Sequence, residues 1–205
     1  MSAENLIYTL LGLPLLASAL VLVFRNHPNL RDGQAVLLGI LSAGAAFQLY
    51  LLPTGASLTL VELAPGLTLT FTPEPLGKLF ALVAGTLWPL ATLYTIGYMR
   101  GAKEANHTRF MFFYAVAIHA TMGIALSGNL LTLFVFYEML TFSTYPLVTH
   151  KGDEAALKAG RVYLGILVAS SIVFLLFGVI GVWAIAGTLD FTSGGILVGK
   201  IDPFY

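Results

Sequence analysis

Glu138 stands alone in an apolar run, Asn129–His150 (NLLTLFVFYEMLTFSTYPLVTH), and no other Lys, Arg, Asp or Glu occurs between Phe110 and Thr149. A charge at the centre of a bilayer-spanning helix costs about 2.5–3.5 kcal/mol on insertion scales, so such a group ordinarily faces protein or water and has a task. Two readings follow. Glu138 lies on a proton or ion route, or it is protonated or paired and simply holds helices together. Positions i, i+3 and i+7 share a helix face, which puts Glu138, Thr141 and Tyr145 on one stripe and leaves Ser143 and Thr144 off it. Burial favours the neutral form of a carboxyl, and a nearby cation favours the charged form. A cation that approached and retreated would therefore switch the proton on Glu138. The hydroxyls add little by themselves, because Ser and Thr are common contacts between membrane helices.

His119 falls near the middle of the preceding apolar stretch, opposite the region that carries Glu138. An imidazole exchanges protons near neutral pH, so it is a candidate carrier; hydrogen-bonded packing is the plainer reading. No second histidine sits three or four residues away, and His107 and His150 fall at span ends, so no metal site is expected. Lys158 and Arg161 open the last apolar stretch, with Ser170 and Ser171 deeper in it. Lys158 either biases Glu138 or snorkels to the interface like any flanking lysine. There is no GxxxxGK[ST], GxSxG or HExxH. The residues offer no catalytic chemistry and no cofactor site, so any proton or ion movement must draw on a gradient or on partner subunits.

These groups must be positioned by membrane helices. Of 205 residues, 58% are hydrophobic and 10% charged, against about a quarter charged in a soluble domain. The zero net charge implies no nucleic-acid partner, and the lack of cysteine excludes disulfides and iron–sulfur ligation. The first residues carry Glu4 and no basic n-region of a signal peptide. Six stretches are long enough to cross a hydrocarbon core: Leu6–Phe24, Ala35–Leu52, Leu79–Tyr98, Phe110–Leu126, Leu130–Val148 and Tyr163–Ala186. The fold class is therefore all-α integral membrane, one domain over 1–205, with Pro14 and Pro89 as kink positions. Basic residues cluster in the odd-numbered links, with Lys78 and Lys200 as exceptions. By the positive-inside rule those links face the cytoplasm, and both termini face outward from a cell (inner) membrane. The second link alternates at Leu58, Leu60, Leu67, Leu69 and Phe71 around Ala64-Pro65-Gly66, which predicts an exterior β-hairpin acting as a lid without chemistry. The Gly-rich tail after Ala186 is expected to lie at the interface.

The run Asn129–Val148, with its Asn129…Glu138…Tyr145-Pro146 pattern, resembles the fifth helix of antiporter-like proton-translocating subunits. That family includes the A and D subunits of Mrp-type Na+/H+ antiporters, the L, M and N subunits of respiratory complex I, and membrane-bound hydrogenase relatives. Ile96–Met99 (IGYM) is similar to the end of its third helix, and GLTLTFTPEPLGKLF to its hairpin and helix entry. Glu74-Pro75 and Arg100 depart from the common pattern. The resemblance implies that Glu138 receives and releases protons, facing a lysine on a seventh helix that this chain does not contain. Full-length members have about fourteen helices, so the expectation is an N-terminal six-helix portion. It would be completed by a second polypeptide, or sit as a shortened accessory subunit among other membrane subunits. Protons, and in such assemblies Na+, are the implied cargo. The alternatives are a non-conducting structural subunit and an integral membrane enzyme; the latter would need clustered polar residues at one interface, which the sequence lacks. Quinone-reductase or hydrogenase labels would attach to the complex.

Overall fold

The computed structural model describes residues 1–201. The chain is mostly helical, with α1 (Ala3–Val23), α2 (Pro28–Leu51), β1 (Leu58–Ala64), β2 (Leu67–Phe71), α3 (Pro75–Gly101), α4 (His107–Ala125) and α5 (Leu130–Val148). α6 (Glu154–Ser170) continues through a π-helical turn (Ser171–Leu176) into α7 (Phe177–Ala186). Among the described residues six helical stretches are long and apolar enough to cross a membrane, the last being the 33 residues Glu154–Ala186. The fifth has the bounds expected from sequence. The others extend further, because polar caps and Pro at the first helical position start helices outside the apolar stretch. Pro28 and Pro75 open α2 and α3, and Asp153 accepts the Ala156 N–H at 2.7 Å to start α6 well before Tyr163. That N–H, aided by the Lys151 ammonium, holds the Asp153 carboxyl below the usual carboxylate range. The cap is therefore charged at neutral pH and is lost only under acid.

α1 packs between α2 and α4, α3 closes on α2, and α5 lies beside α4. The helices meet through small residues, as membrane helices do when no hydrophobic effect draws them together. Gly39 rests against Pro89, and Gly85 against Ala46. A Cβ on Gly123 would fall inside the Phe136 ring, so α4 and α5 come as close as they do only because residue 123 is glycine. Leu6, Ile7, Leu10, Leu49, Met122 and Phe136 form the main buried cluster. Outward faces are apolar instead: Leu37, Phe47, Leu90, Ile166, Phe174 and Phe177 are all exposed. α6 and α7 pack chiefly on α5 and leave most of their surface uncovered.

β1 and β2 pair antiparallel from Leu58↔Phe71 to Ala64↔Leu67, and Gly66 takes the positive φ (77°) that the Pro65-Gly66 turn needs. The hairpin does more than cover an end. The Thr72 N–H donates to the Leu126 carbonyl and the Gly128 N–H to the Thr70 carbonyl, tying it to the α4–α5 connection. The tail joins the same junction, where the Leu130 N–H donates to Leu189 and the Phe191 N–H to Gly128. The two basic residues that stood apart in the sequence also find their use at this end of the bundle. Lys78, 4% exposed, donates to the carbonyls of Leu52 (2.7 Å) and Pro53 (3.0 Å), and Lys200 donates to Ala186. Both cations satisfy carbonyls where a helix ends, the pole that attracts positive charge.

Gly123→Ala is expected to lower the thermal unfolding temperature of the purified protein, by an overpacking cost of about 1–3 kcal/mol. Gly97→Ala, where a Cβ meets nothing within 4 Å, should leave it unchanged or raise it.

Candidate functional site

The site is built on α5, and α5 is built on Asn129. The Asn129 side chain, 2% exposed, accepts the Thr132 N–H at 2.7 Å and so caps the helix. Its amide donates to the Thr68 carbonyl at 2.9 Å, while Thr132 Oγ1 accepts the Thr70 N–H at 2.9 Å. Strand β2 therefore clamps the first turn of α5, and the helix that carries Glu138 is fixed at this end by four polar groups.

Glu138 lies near the middle of the 19-residue helix and is half-buried. Its Oε1 is shut off from solvent and accepts no hydrogen bond from any described residue. A buried carboxylate oxygen without a donor is costly.

The other residues singled out by sequence do not surround it. Thr141 and Ser143 are buried, and Ser143 donates to Leu140. Thr144 donates to the Thr141 carbonyl and lies 3.3 Å from the Tyr163 hydroxyl, linking α5 to α6. Ser170 donates to Leu167 and Ser171 to Val168. The hydroxyls of Ser143, Thr144, Ser170 and Ser171 thus return to carbonyls of their own helices, and no described side chain bonds Glu138. Tyr145 packs beside Gly160, where a Cβ would meet its ring at 3.2 Å. Taking the Thr144–Tyr163 contact as the register of antiparallel α5 and α6, Glu138 lies level with Ser170 and the start of the π turn. Turns of this kind are frequent at functional sites, and no pattern in the residues announced it. Lys158 is exposed and, by the same register and a rise of 1.5 Å per residue, sits on the order of 15 Å along the axis from Glu138.

His119 is at the depth of Glu138 but turned elsewhere. It is 6% exposed, its ring centroid lies 5.4 Å from that of Phe136, and its Nδ1 is 2.8 Å from the Leu11 carbonyl. A carbonyl only accepts, so Nδ1 carries the proton. The neighbouring turn is opened by Pro14, which has no N–H for Leu10. His119 thus holds α4 to α1. Among the described residues no cluster of His, Cys, Asp and Glu could hold a metal.

Residues 127–197 match the family described as NADH:quinone oxidoreductase/Mrp antiporter, TM. The chain is 29% identical over 138 residues to a probable K(+)/H(+) antiporter subunit of Rhizobium meliloti (strain 1021), covering 64% of this chain and 25% of that protein. It is 31% identical over 101 residues to an Na(+)/H(+) antiporter subunit of Alkalihalophilus pseudofirmus, covering 49% of this chain and 20% of that one. Over these stretches the chain is similar to antiporter subunits. It spans about a quarter or less of the length of those relatives. Its fold is that of a chain in the Mrp complex from Dietzia sp. DQ12-45-1b, with a TM-score of 0.78 at 16% identity over 100% of this chain and 21% of that one.

The chain also holds a charged cluster that counting basic residues in links had spread over two loops. Arg31 and Asp32 lie in the first turns of α2 and are 5% and 3% exposed. Arg31 Nε donates to Asp32 at 2.8 Å, its Nη1 to Thr108 at 3.0 Å, and its Nη2 to His107 Nδ1 at 2.9 Å. Arg100, at the end of α3, donates to the other Asp32 oxygen from Nε (2.9 Å) and Nη2 (2.6 Å). One carboxylate thereby fastens α2, α3 and α4 together at the end opposite the hairpin. The available signal was that Asp32 is the only acid in the first link or α2.

Removing one partner of a buried ion pair leaves an uncompensated charge and costs about 3–5 kcal/mol. Asp32→Ala is therefore expected to lower the thermal unfolding temperature and the yield of membrane-extracted protein. Asp153→Ala, at an exposed helix cap, should have a clearly smaller effect on both.

Proposed function

We propose that this chain is a membrane subunit of a multisubunit proton-translocating assembly, a cation/proton antiporter or a redox-driven pump, in which Glu138 takes up and releases protons. The observation that carries the reading is the buried Glu138 Oε1 with no donor, at mid-helix on an α5 whose start is rigidly clamped. Two further facts support it. The family-matched residues 127–197 contain the whole of α5, and relatives are described as K(+)/H(+) and Na(+)/H(+) antiporter subunits. Protons, and Na+ or K+ in exchange, are accordingly the proposed cargo.

Glu138 is the exchanging acid. An apolar setting favours the neutral form of a carboxyl, and the charged form requires a donor or cation. Lys158 is too distant to be that cation by direct contact, so its part is a longer-range bias on proton entry. The cation would come from another subunit or from further helices of the same assembly, seated against the uncovered side of α6 and the π turn level with Glu138. His119 contributes by positioning α1 and α4, with Thr141, Tyr145 and Ser170 lining the neighbourhood. The assembly sits in the cell (inner) membrane with the basic links in the cytoplasm and both termini outside, the orientation that the positive-inside rule favours.

A second reading has its own support. Every hydroxyl near Glu138 whose bond is resolved is engaged with its own helix backbone, as in a subunit that fills a place without conducting. Mutation separates the two. Glu138→Gln should leave assembly intact and lower ion-coupled proton flux in everted membrane vesicles by roughly tenfold or more, the scale of a lost proton-transfer group. Flux equal to wild type would leave only the structural reading. Lys158→Ala should lower flux less, with Lys158→Arg close to wild type. Affinity purification from native membranes is expected to recover other membrane subunits; recovery of the chain alone would remove the assembly.

A further inference from the structure

A cavity of about 500 Å³ opens at the end of the bundle opposite the hairpin, between the end of α1, the start of α2 and the start of α4. Arg25, Arg31, His107 and Arg109 line its polar side, and Phe112 and Phe113 line its apolar side. No Asp or Glu is among its lining residues. The nearest acid, Asp32, is already taken by Arg31 and Arg100. Arg25 and Arg109 are exposed, and Arg109 spends one contact on the His150 carbonyl at 2.8 Å.

Several donors around this cavity are left over. Arg31 has five N–H bonds and uses three of them, on Asp32, Thr108 and His107. Because a guanidinium only donates, His107 Nδ1 is an acceptor in that contact and the neutral ring carries its proton on Nε2. His107 Nε2 is buried and has no partner. Thr108 Oγ1 accepts from Arg31, which leaves its own O–H to give. The first N–H groups of α4 lack acceptors within the helix, and the Asn106 side chain does not cap them. A cavity that carries several positive charges, lines itself with no carboxylate and holds these free donors favours an anionic ligand rich in acceptors. A phosphate group is that ligand.

We propose that this cavity binds the phosphate of an anionic phospholipid headgroup. Phe112 and Phe113 continue the cavity wall along α4 toward the apolar middle of the bundle, where the acyl chains would lie. Basic pockets between membrane helices hold anionic headgroups through this combination of charge and apolar wall. The bound phosphate would be held by groups on the α1–α2 link, α2 and α4, adding to the Asp32 tie at the same end.

The test is native mass spectrometry of the purified, delipidated full chain titrated with dioleoyl-phosphatidylglycerol, dioleoyl-phosphatidylcholine or inorganic phosphate. Phosphatidylglycerol should bind more tightly than phosphatidylcholine. The double variant Arg25→Ala/Arg109→Ala should weaken it by roughly ten- to thirtyfold, the effect of removing two interfacial cations. Arg25→Ala alone, which leaves the Arg109–His150 contact in place, should weaken it by roughly fivefold. Lys151→Ala/Lys158→Ala, at exposed cations outside the cavity, should leave binding unchanged. If millimolar inorganic phosphate displaces phosphatidylglycerol, the site takes the phosphate group from free anion as well as from lipid. If phosphate fails to compete, the acyl chains are part of recognition. Equal binding of the two lipids, or wild-type phosphatidylglycerol binding by the folded double variant, overturns the proposal.

Discussion

In an apolar surround every polar group must find its partner inside the protein, and the organisation of this chain follows from that requirement. Backbone groups are satisfied by helices and one hairpin. Hydroxyls fold back onto carbonyls three or four residues earlier, as Ser18, Thr92, Thr121 and Thr149 do. Helix ends are where the requirement is hardest to meet, because the last carbonyls have no donor. Lys78 and Lys200 meet it at the ends of α2 and α7. Among the described residues five buried side-chain atoms go without a partner, and Glu138 Oε1 is the one that belongs to a carboxyl.

The two ends of the bundle are closed by different chemistry. At the hairpin end the joint is neutral and made mostly of backbone: Asn129 and Thr132 take up β2, and the tail adds Leu189 and Phe191. At the other end the joint is ionic, with Asp32 held between Arg31 and Arg100. A neutral joint directs α5 without placing a charge near Glu138. The ionic joint keeps its charges at the bundle end, where water and headgroups limit the desolvation cost. The consequence is a carboxylate in the middle of the bundle that neither end compensates.

The edge of the bundle points the same way. α6, the π turn and α7 rest chiefly on α5, so Glu138 sits behind the least supported wall. The uncovered face of this wall is apolar, with Ile166, Phe174 and Phe177 exposed.

Apolar run lengths by themselves determined the six long apolar helices and the bounds of α5, and residue alternation the hairpin with its Pro65-Gly66 turn. Those are local properties: burial in lipid depends on one helix's hydropathy, and a turn on a few residues' φ and ψ. Sequence also placed Lys78 and Lys200 correctly at the less basic end, but as exceptions without a cause. Tertiary structure alone decided their use as helix caps, the clamping of α5 by β2, the turning of His119 toward Leu11, the distance of Lys158 from Glu138 and the burial of Asp32 between two arginines. Each depends on which groups distant in the chain meet at one depth. Helix periodicity sets the face a residue occupies on its own helix, and only packing sets what stands opposite.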